Sequence, residues 1–112
     1  MVRNVGLTNA SVTATQSDYS GWAGTFAGIN AGTISQSYAT GSVSGAVSYD
    51  IGGLVARNLG TIAQSYANVS TNGGTSSAIG GLVGNNYGTI TQSYELGAVN
   101  AGSGSYIGGL VG

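Results

Sequence analysis

Ile79-Gly80-Gly81-Leu82-Val83-Gly84-Asn85-Asn86-Tyr87-Gly88-Thr89-Ile90-Thr91-Gln92-Ser93-Tyr94 is the stretch that decides the fold. A near copy, Ile51-Gly52-Gly53-Leu54-Val55-Ala56-Arg57-Asn58-Leu59-Gly60-Thr61-Ile62-Ala63-Gln64-Ser65-Tyr66, lies 28 residues upstream. A weaker copy runs from Ala23 to Tyr38, and another begins at Ile107 and stops at Gly112. Aligned columns include Asn30, Asn58 and Asn86; Ile34, Ile62 and Ile90; and Tyr38, Tyr66 and Tyr94. No insertion or deletion interrupts them from Ala23 onward. Such an uninterrupted register marks a stacked repeat architecture.

The repeat reads as β. Glycine, 22 of 112 residues, costs a helix about 1 kcal/mol each relative to alanine. The apolar segments are short, β-branched and bounded by Gly, Asn and Ser. Each repeat offers about three of them, near Leu54-Val55, 61–66 and 69–71. One such set cannot bury its own apolar side. Stacking equivalent segments at the ~4.8 Å strand spacing buries it and pairs the backbone in the same step. The expected fold is therefore all-β, a β-solenoid of the parallel β-helix type with about four coils of 28 residues. The chain forms one repeat domain, 1–112: an irregular first coil at 1–22, coils at 23–50, 51–78 and 79–106, and a partial coil at 107–112. Absent proline fits a chain paired on both sides. Gly52, Gly53, Gly80, Gly81, Gly108 and Gly109 read as corners, where the backbone needs φ > 0 or a close approach. A propeller blade normally takes 40 or so residues, more than this period allows.

The first 22 residues are the least regular. Asn4-Val5-Gly6 resembles the later Asn-x-Gly units, 7–13 reads as a strand, and 15–21 as a loop. That loop is longer than its counterparts: Val12 to Ala23 spans 11 positions, Val43 to Ile51 only 8. Read in this way, Gly112 would precede Arg3-Asn4 much as Ala56 precedes Arg57-Asn58.

Composition excludes several functions. The charged side chains are Arg3, Arg57, Asp18, Asp50 and Glu95, a net charge of −1. Two arginines cannot neutralise a nucleic-acid backbone. No apolar run reaches the ~20 residues of a membrane helix, so neither nucleic acid nor membrane insertion is expected. There is no Cys and no His, which removes thiolate and imidazole chemistry. The three acids fall in different phases of the repeat, so neither a general acid–base pair nor a calcium ladder is expected. The reading is no enzyme, with no catalytic residue, cofactor or metal.

Ile-Gly-Gly-Leu-Val-Gly, then Asn-x-Gly-Thr-Ile, then Ser-Tyr, and often Gly-x-Val, resembles the GLUG motif. That repeat occurs in large bacterial surface proteins, including filamentous-haemagglutinin-like adhesins, and in non-catalytic regions of some IgA-specific metallopeptidases. The resemblance spans about Asn4 to Gly112 and is strongest over 51–112. The copy Ala23-Gly24-Thr25-Phe26-Ala27-Gly28 departs from it. The resemblance implies an extracellular, cell-surface structural segment, exported within a larger chain or by a signal lying outside this sequence. It transfers no activity.

The columns define candidate surfaces. Asn30, Asn58 and Asn86 read as an amide ladder joining the coils. Tyr38, Tyr66 and Tyr94 read as an aromatic ladder, or as a stripe for a host-surface or glycan ligand. With Ile34, Ile62 and Ile90 pointing inward, Thr33, Ser35, Ser37, Thr61, Ser65, Thr89, Thr91 and Ser93 would share one outward hydroxyl face, interrupted by Ala63. Such a face resembles that of ice-binding solenoids. The expected function is a rigid spacer or binding scaffold in a surface adhesin or fibre. The alternatives are a filament subunit self-associating end to end through uncapped coils, and an ice binder.

Overall fold

A computed structural model describes residues 1–15, 21–46 and 49–112. All of its regular structure among these residues is strand, and every strand pair is parallel. The chain winds past four sheets in a fixed order. The first coil is β1 (Val2–Arg3), β2 (Gly6–Ala14), β3 (Gly21–Gly24) and β4 (Ala27–Asn30). The second is β5 (Thr33–Ser35), β6 (Tyr38–Gly45), β7 (Tyr49–Gly52) and β8 (Val55–Asn58). The third is β9 (Thr61–Ala63), β10 (Tyr66–Gly73), β11 (Ala78–Gly80) and β12 (Val83–Asn86). The fourth holds β13 (Thr89–Thr91), β14 (Tyr94–Glu95), β15 (Val99–Ala101) and β16 (Tyr106–Gly108). Equivalent strands stack into the sheets β1-β5-β9-β13, β2-β6-β10-β14 with β15 also on β10, β3-β7-β11-β16, and β4-β8-β12. The molecule is a β-solenoid of about four turns.

The register follows the sequence period. Tyr66 pairs with Tyr38, Ile79 with Ile51, Val83 with Val55 and Ile90 with Ile62. The inward columns form the core. Ile34, Ile51, Leu54, Val55, Ile62, Val69, Ile79, Leu82 and Val83 are buried, with Ala39 and Ala67 where the walls come close. Thr71 replaces valine in an inward column, between Val43 and Val99. It is fully buried, and its hydroxyl donates to the carbonyl of Ala98 at 3.4 Å. No buried side-chain nitrogen or oxygen among the described residues lacks a partner.

Each full coil has four sides where the sequence suggests three strands. The run 61–66 is broken at Gln64, whose φ is 49°. The chain turns there, so Tyr66 opens the next strand together with 69–71, and Ile51 and Ile79 lie on a separate side. Gln36 and Gln92 repeat this left-handed turn, with φ of 49° and 47°.

The first coil departs from the expected alignment. Asn4-Val5-Gly6 does not stack on the Asn-x-Gly units. Val2 pairs with Ile34, Arg3 with Ser35 and Gly6 with Tyr38. Asn4, with φ 56°, stands one residue after Arg3, as Gln36 stands after Ser35. This alignment sets Leu7 beside Ala39, packed against the core, and gives the Tyr38 ring the bare backbone of Gly6 to lie on. Arg3 therefore does not repeat the position of Arg57, and the head-to-tail continuity with Gly112 fails in register. The expected strand at 7–13 forms within β2, with one extra residue bulged out between Leu7 and Ala10, where Asn9 has φ 53°. The expected loop falls mostly on 16–20, with Asp18, outside the described residues. Ala14 pairs with Gly45 and Gly21 with Tyr49, so the first coil has the longer connection between these two strands, as expected.

The paired glycines serve close approach and not positive φ; the glycines with φ > 0 are Gly41 and Gly104 among the described residues. A Cβ on Gly52 would run into the carbonyl of Val55, and one on Gly53 into the carbonyl of Gly81 in the next coil. Gly80, Gly81 and Gly108 meet equivalent carbonyls, whereas Gly109 faces open space. The divergent first copy solves the same contact with Thr25, whose hydroxyl donates to the carbonyl of Gly53 at 2.5 Å.

One column separates close approach from conformational freedom. A Cβ on Gly60 would collide with the carbonyl of Gly32, while one on Gly32 meets nothing within 4 Å. Gly60→Ala should cost about 2 kcal/mol or more, and Gly32→Ala should be neutral or stabilise by up to about 1 kcal/mol. Chemical denaturation of both variants checks this; equal losses would refute the carbonyl-contact account.

Candidate functional site

Three kinds of polar or aromatic ladder run along the solenoid. Asn30 donates from Nδ2 to Asn58 Oδ1 at 2.8 Å, and Asn58 repeats the bond to Asn86 Oδ1 at 2.8 Å. Each asparagine also fixes its own corner: Asn30 Oδ1 accepts from Gly32 N at 3.1 Å, and Asn58 Nδ2 reaches the carbonyl of Gly60 at 3.2 Å. Asn30 and Asn58 are buried. An amide suits a column in which every member meets its own kind, because it carries a donor and an acceptor together. The Asn column is thus committed to holding coils together.

Asn58→Asp should test this directly. A carboxylate cannot donate, so it would face Asn86 Oδ1 and the Gly60 carbonyl as one acceptor among others. The variant should lose about 2–4 kcal/mol at pH 7 and recover part of that near pH 4, where the acid protonates. Equal losses at both pH values would argue against it.

The hydroxyl face is narrower than the sequence suggests. Ser37 and Ser65 are buried. The left-handed residues Gln36, Gln64 and Gln92 rotate the following serine inward, breaking the alternation on which an outward placement depends. Ser37, Ser65 and Ser93 donate to the carbonyls of Ser35, Ala63 and Thr91, each at 2.8 Å. Their hydroxyls also accept from the coil before: Ser37 N to Ser65 Oγ and Ser65 N to Ser93 Oγ, both 3.2 Å. These serines form an internal ladder. Thr33, Ser35, Thr61, Ala63, Thr89 and Thr91 remain on β5, β9 and β13, half-buried on β5 and β9 and exposed at Thr89 and Thr91. A second serine ladder escaped the sequence reading: Tyr49 N donates to Ser77 Oγ at 3.3 Å, and Ser77 N to Ser105 Oγ at 3.1 Å. Its signal in the sequence is the recurrence of serine at Ser77 and Ser105, 28 residues apart.

Tyr38, Tyr66 and Tyr94 stack with ring centroids 5.1 and 5.0 Å apart and planes within 6° and 4°. Tyr66 has a tyrosine on each face, and Tyr38 has Gly6 on its other face. Both faces of Tyr38 and Tyr66 are used within the ladder, which leaves the outer face of Tyr94, 50 % exposed, as the one face open to a sugar.

Glu95 occupies the inward position held by Ala67 one coil earlier. Its Oε1 accepts the N–H of Gly97, which interrupts the last strand of this sheet at 96–98. Partial burial raises its pKa above the ordinary glutamate value, against the lowering pull of the N–H groups of Gly97, Leu96 and Val69. The folded state thus holds this proton more tightly than the unfolded chain does. Stability should fall as pH rises from the ordinary glutamate pKa through the raised one. Glu95→Gln keeps the acceptor, so it should flatten that step and melt higher than the parent at pH 7. Melting curves from pH 4 to 8 compare the two; a lower melting point for the glutamine variant at pH 7 would count against this.

One surface breaks the repeat. Arg57 forms the only ion pair among the described residues, with Asp50 Oδ2 at 2.6 Å from Nη2 and 3.1 Å from Nε. Its guanidinium carbon lies 5.2 Å from the Trp22 ring centroid and 5.8 Å from that of Tyr87. Asn85 Nδ2 lies 3.4 Å from the Tyr87 hydroxyl. The sequence reading passed over this group because it searched for columns that recur. Its members stand where the columns fail to recur: Trp22 with Asp50, Ala78 and Tyr106, and Arg57 with Ile29 and Asn85.

No cavity or cleft is found among the described residues, nor any group of three acids that could hold a metal ion. No helix among them is long and apolar enough to cross a membrane. Comparison with protein-family models, curated proteins and solved structures returns no match.

Proposed function

We propose that this chain is a rigid, non-catalytic structural segment of a bacterial surface protein of the adhesin or extracellular-fibre type, acting as a spacer and scaffold. The observation that carries the reading is the agreement of every internal ladder in one register. Asn, Ser and Tyr columns each pair coil to coil at the same step, and no buried side-chain polar atom is orphaned among the described residues. Such a body resists bending through the bonding at each coil-to-coil step, which joins neighbouring coils by backbone and side chain alike. Near-absence of charge and absence of His and Cys leave little for acid–base or nucleophilic chemistry. The GLUG-like sequence supports the extracellular setting and the exported parent chain.

A spacer built in this way should accept another unit. Inserting a second copy of 51–78 after residue 78 should give a folded β protein that is longer by one strand spacing, about 4.8 Å, and at least as stable, as nearest-neighbour stacking requires. Small-angle scattering and thermal melting measure both. Unfolding of the extended chain, or unchanged length, would remove the rod reading.

A further inference from the structure

We infer that the surface formed by Trp22, Arg57 and Tyr87 binds a neutral polysaccharide laid along the solenoid axis. The three side chains come from successive coils, one per coil, on β3, β8 and the turn after β12. The fold does not demand them. The equivalents of Trp22 in the next coils are Asp50 and Ala78, and those of Arg57 are Ile29 and Asn85. Leu59 stands where Tyr87 stands one coil later. Large side chains that the repeat does not need, placed together in three different columns, point to a contact outside the chain.

Their chemistry selects the ligand. Each ring has the Arg57 guanidinium over one face, yet Trp22 is 46 % exposed and Tyr87 67 % exposed, so further ring surface is open to solvent. The C–H faces of sugar rings pack on such aromatic surfaces, as apolar groups do. Between the rings, Asp50 ties two groups of Arg57 to a single oxygen, Oδ2. Among the described residues, Arg57 Nη1 and Asp50 Oδ1 make no hydrogen bond. A fixed donor edge therefore sits beside a carboxylate oxygen that bonds none of the described residues, the side chains of Arg57 and Asp50 being 31 % and 15 % exposed, the arrangement that neighbouring sugar hydroxyls match by accepting and donating at once. The two charges cancel, so neither a strongly anionic nor a cationic polymer is favoured. With no cleft among the described residues to enclose a small molecule, the surface fits an extended chain. A protein partner would need about 800 Å² of matched surface on each side, more than a row of three anchors supplies.

The test does not depend on the spacer reading, since a rod without this surface would fold equally well and retain nothing. The full chain is titrated over surfaces coated with glucomannan (neutral), alginate (acidic) or gelatin (polypeptide). Saturable binding to glucomannan is expected, weakened about tenfold by Trp22→Ala and by Tyr87→Ala. Arg57→Met should weaken it too. Leu96→Ala, an exposed change in the break between β14 and β15, should leave it intact. Circular dichroism confirms the fold of each variant, and the exposed Tyr87 carries the test if the Trp22 variant unfolds. No binding to glucomannan, binding that survives both aromatic substitutions, or binding to alginate or gelatin alone would overturn the proposal.

Discussion

The parallel backbone ladder between coils is the constraint on which the structure depends. From β3 onward it places each paired residue directly against its own equivalent, 28 positions away, at the ~4.8 Å strand spacing. Every column must therefore be compatible with itself. An amide meets this by donating to one neighbour and accepting from the other. A serine hydroxyl does so by donating to its own strand and accepting from the coil before. A tyrosine does so by sharing ring faces. Charge fails the test: two like charges at this spacing repel by about 1 kcal/mol even in water, and a column would repeat that at each step. This gives a physical reason for the small number of charged residues, and for the absence of any column that repeats one.

The same constraint governs the corners. Where the chain turns between the third and fourth sheets, the backbone of one coil lies so close to a carbonyl that a side chain has no room at Gly52 and Gly80. The Asn corner uses bonding instead, with each amide closing its own turn as well as the link to the next coil. Tight backbone contact and side-chain bonding are two solutions to one problem, how to turn a chain whose neighbours turn at the same place. The left-handed glutamines are a third. Each accepts a backbone conformation that costs an L-residue roughly 1–2 kcal/mol, offset by the hydroxyl bonds of the serine it turns inward.

Against this repetition, the group around Arg57 is exceptional for being unrepeated. Asp50 and Arg57 neutralise each other within one coil, so the ladder never confronts like charges there. Trp22 and Tyr87 reach the same guanidinium from the coils before and after. A surface of this kind can exist on a solenoid only where the columns are allowed to vary, on outward positions that no core contact constrains.

By itself the sequence determined the period, the parallel stacking, the inward Ile, Leu and Val columns and the Asn and Tyr ladders. Those follow from recurrence alone, since a residue that repeats in register must meet its copy. Tertiary structure decided what recurrence cannot express. The inward turn of Ser37 and Ser65 depends on a left-handed φ at the preceding glutamine, a residue type with no preference for it. The alignment of the first coil depends on the packing of Leu7 beside Ala39 and of Gly6 against the Tyr38 ring, and this overrode the likeness of Asn4-Val5-Gly6 to the later units. Trp22, Asp50, Arg57 and Tyr87 are scattered along the chain. Only the winding of successive coils brings them together, because proximity across a solenoid is set by the pitch and corners of the coil and not by any signal within a single column.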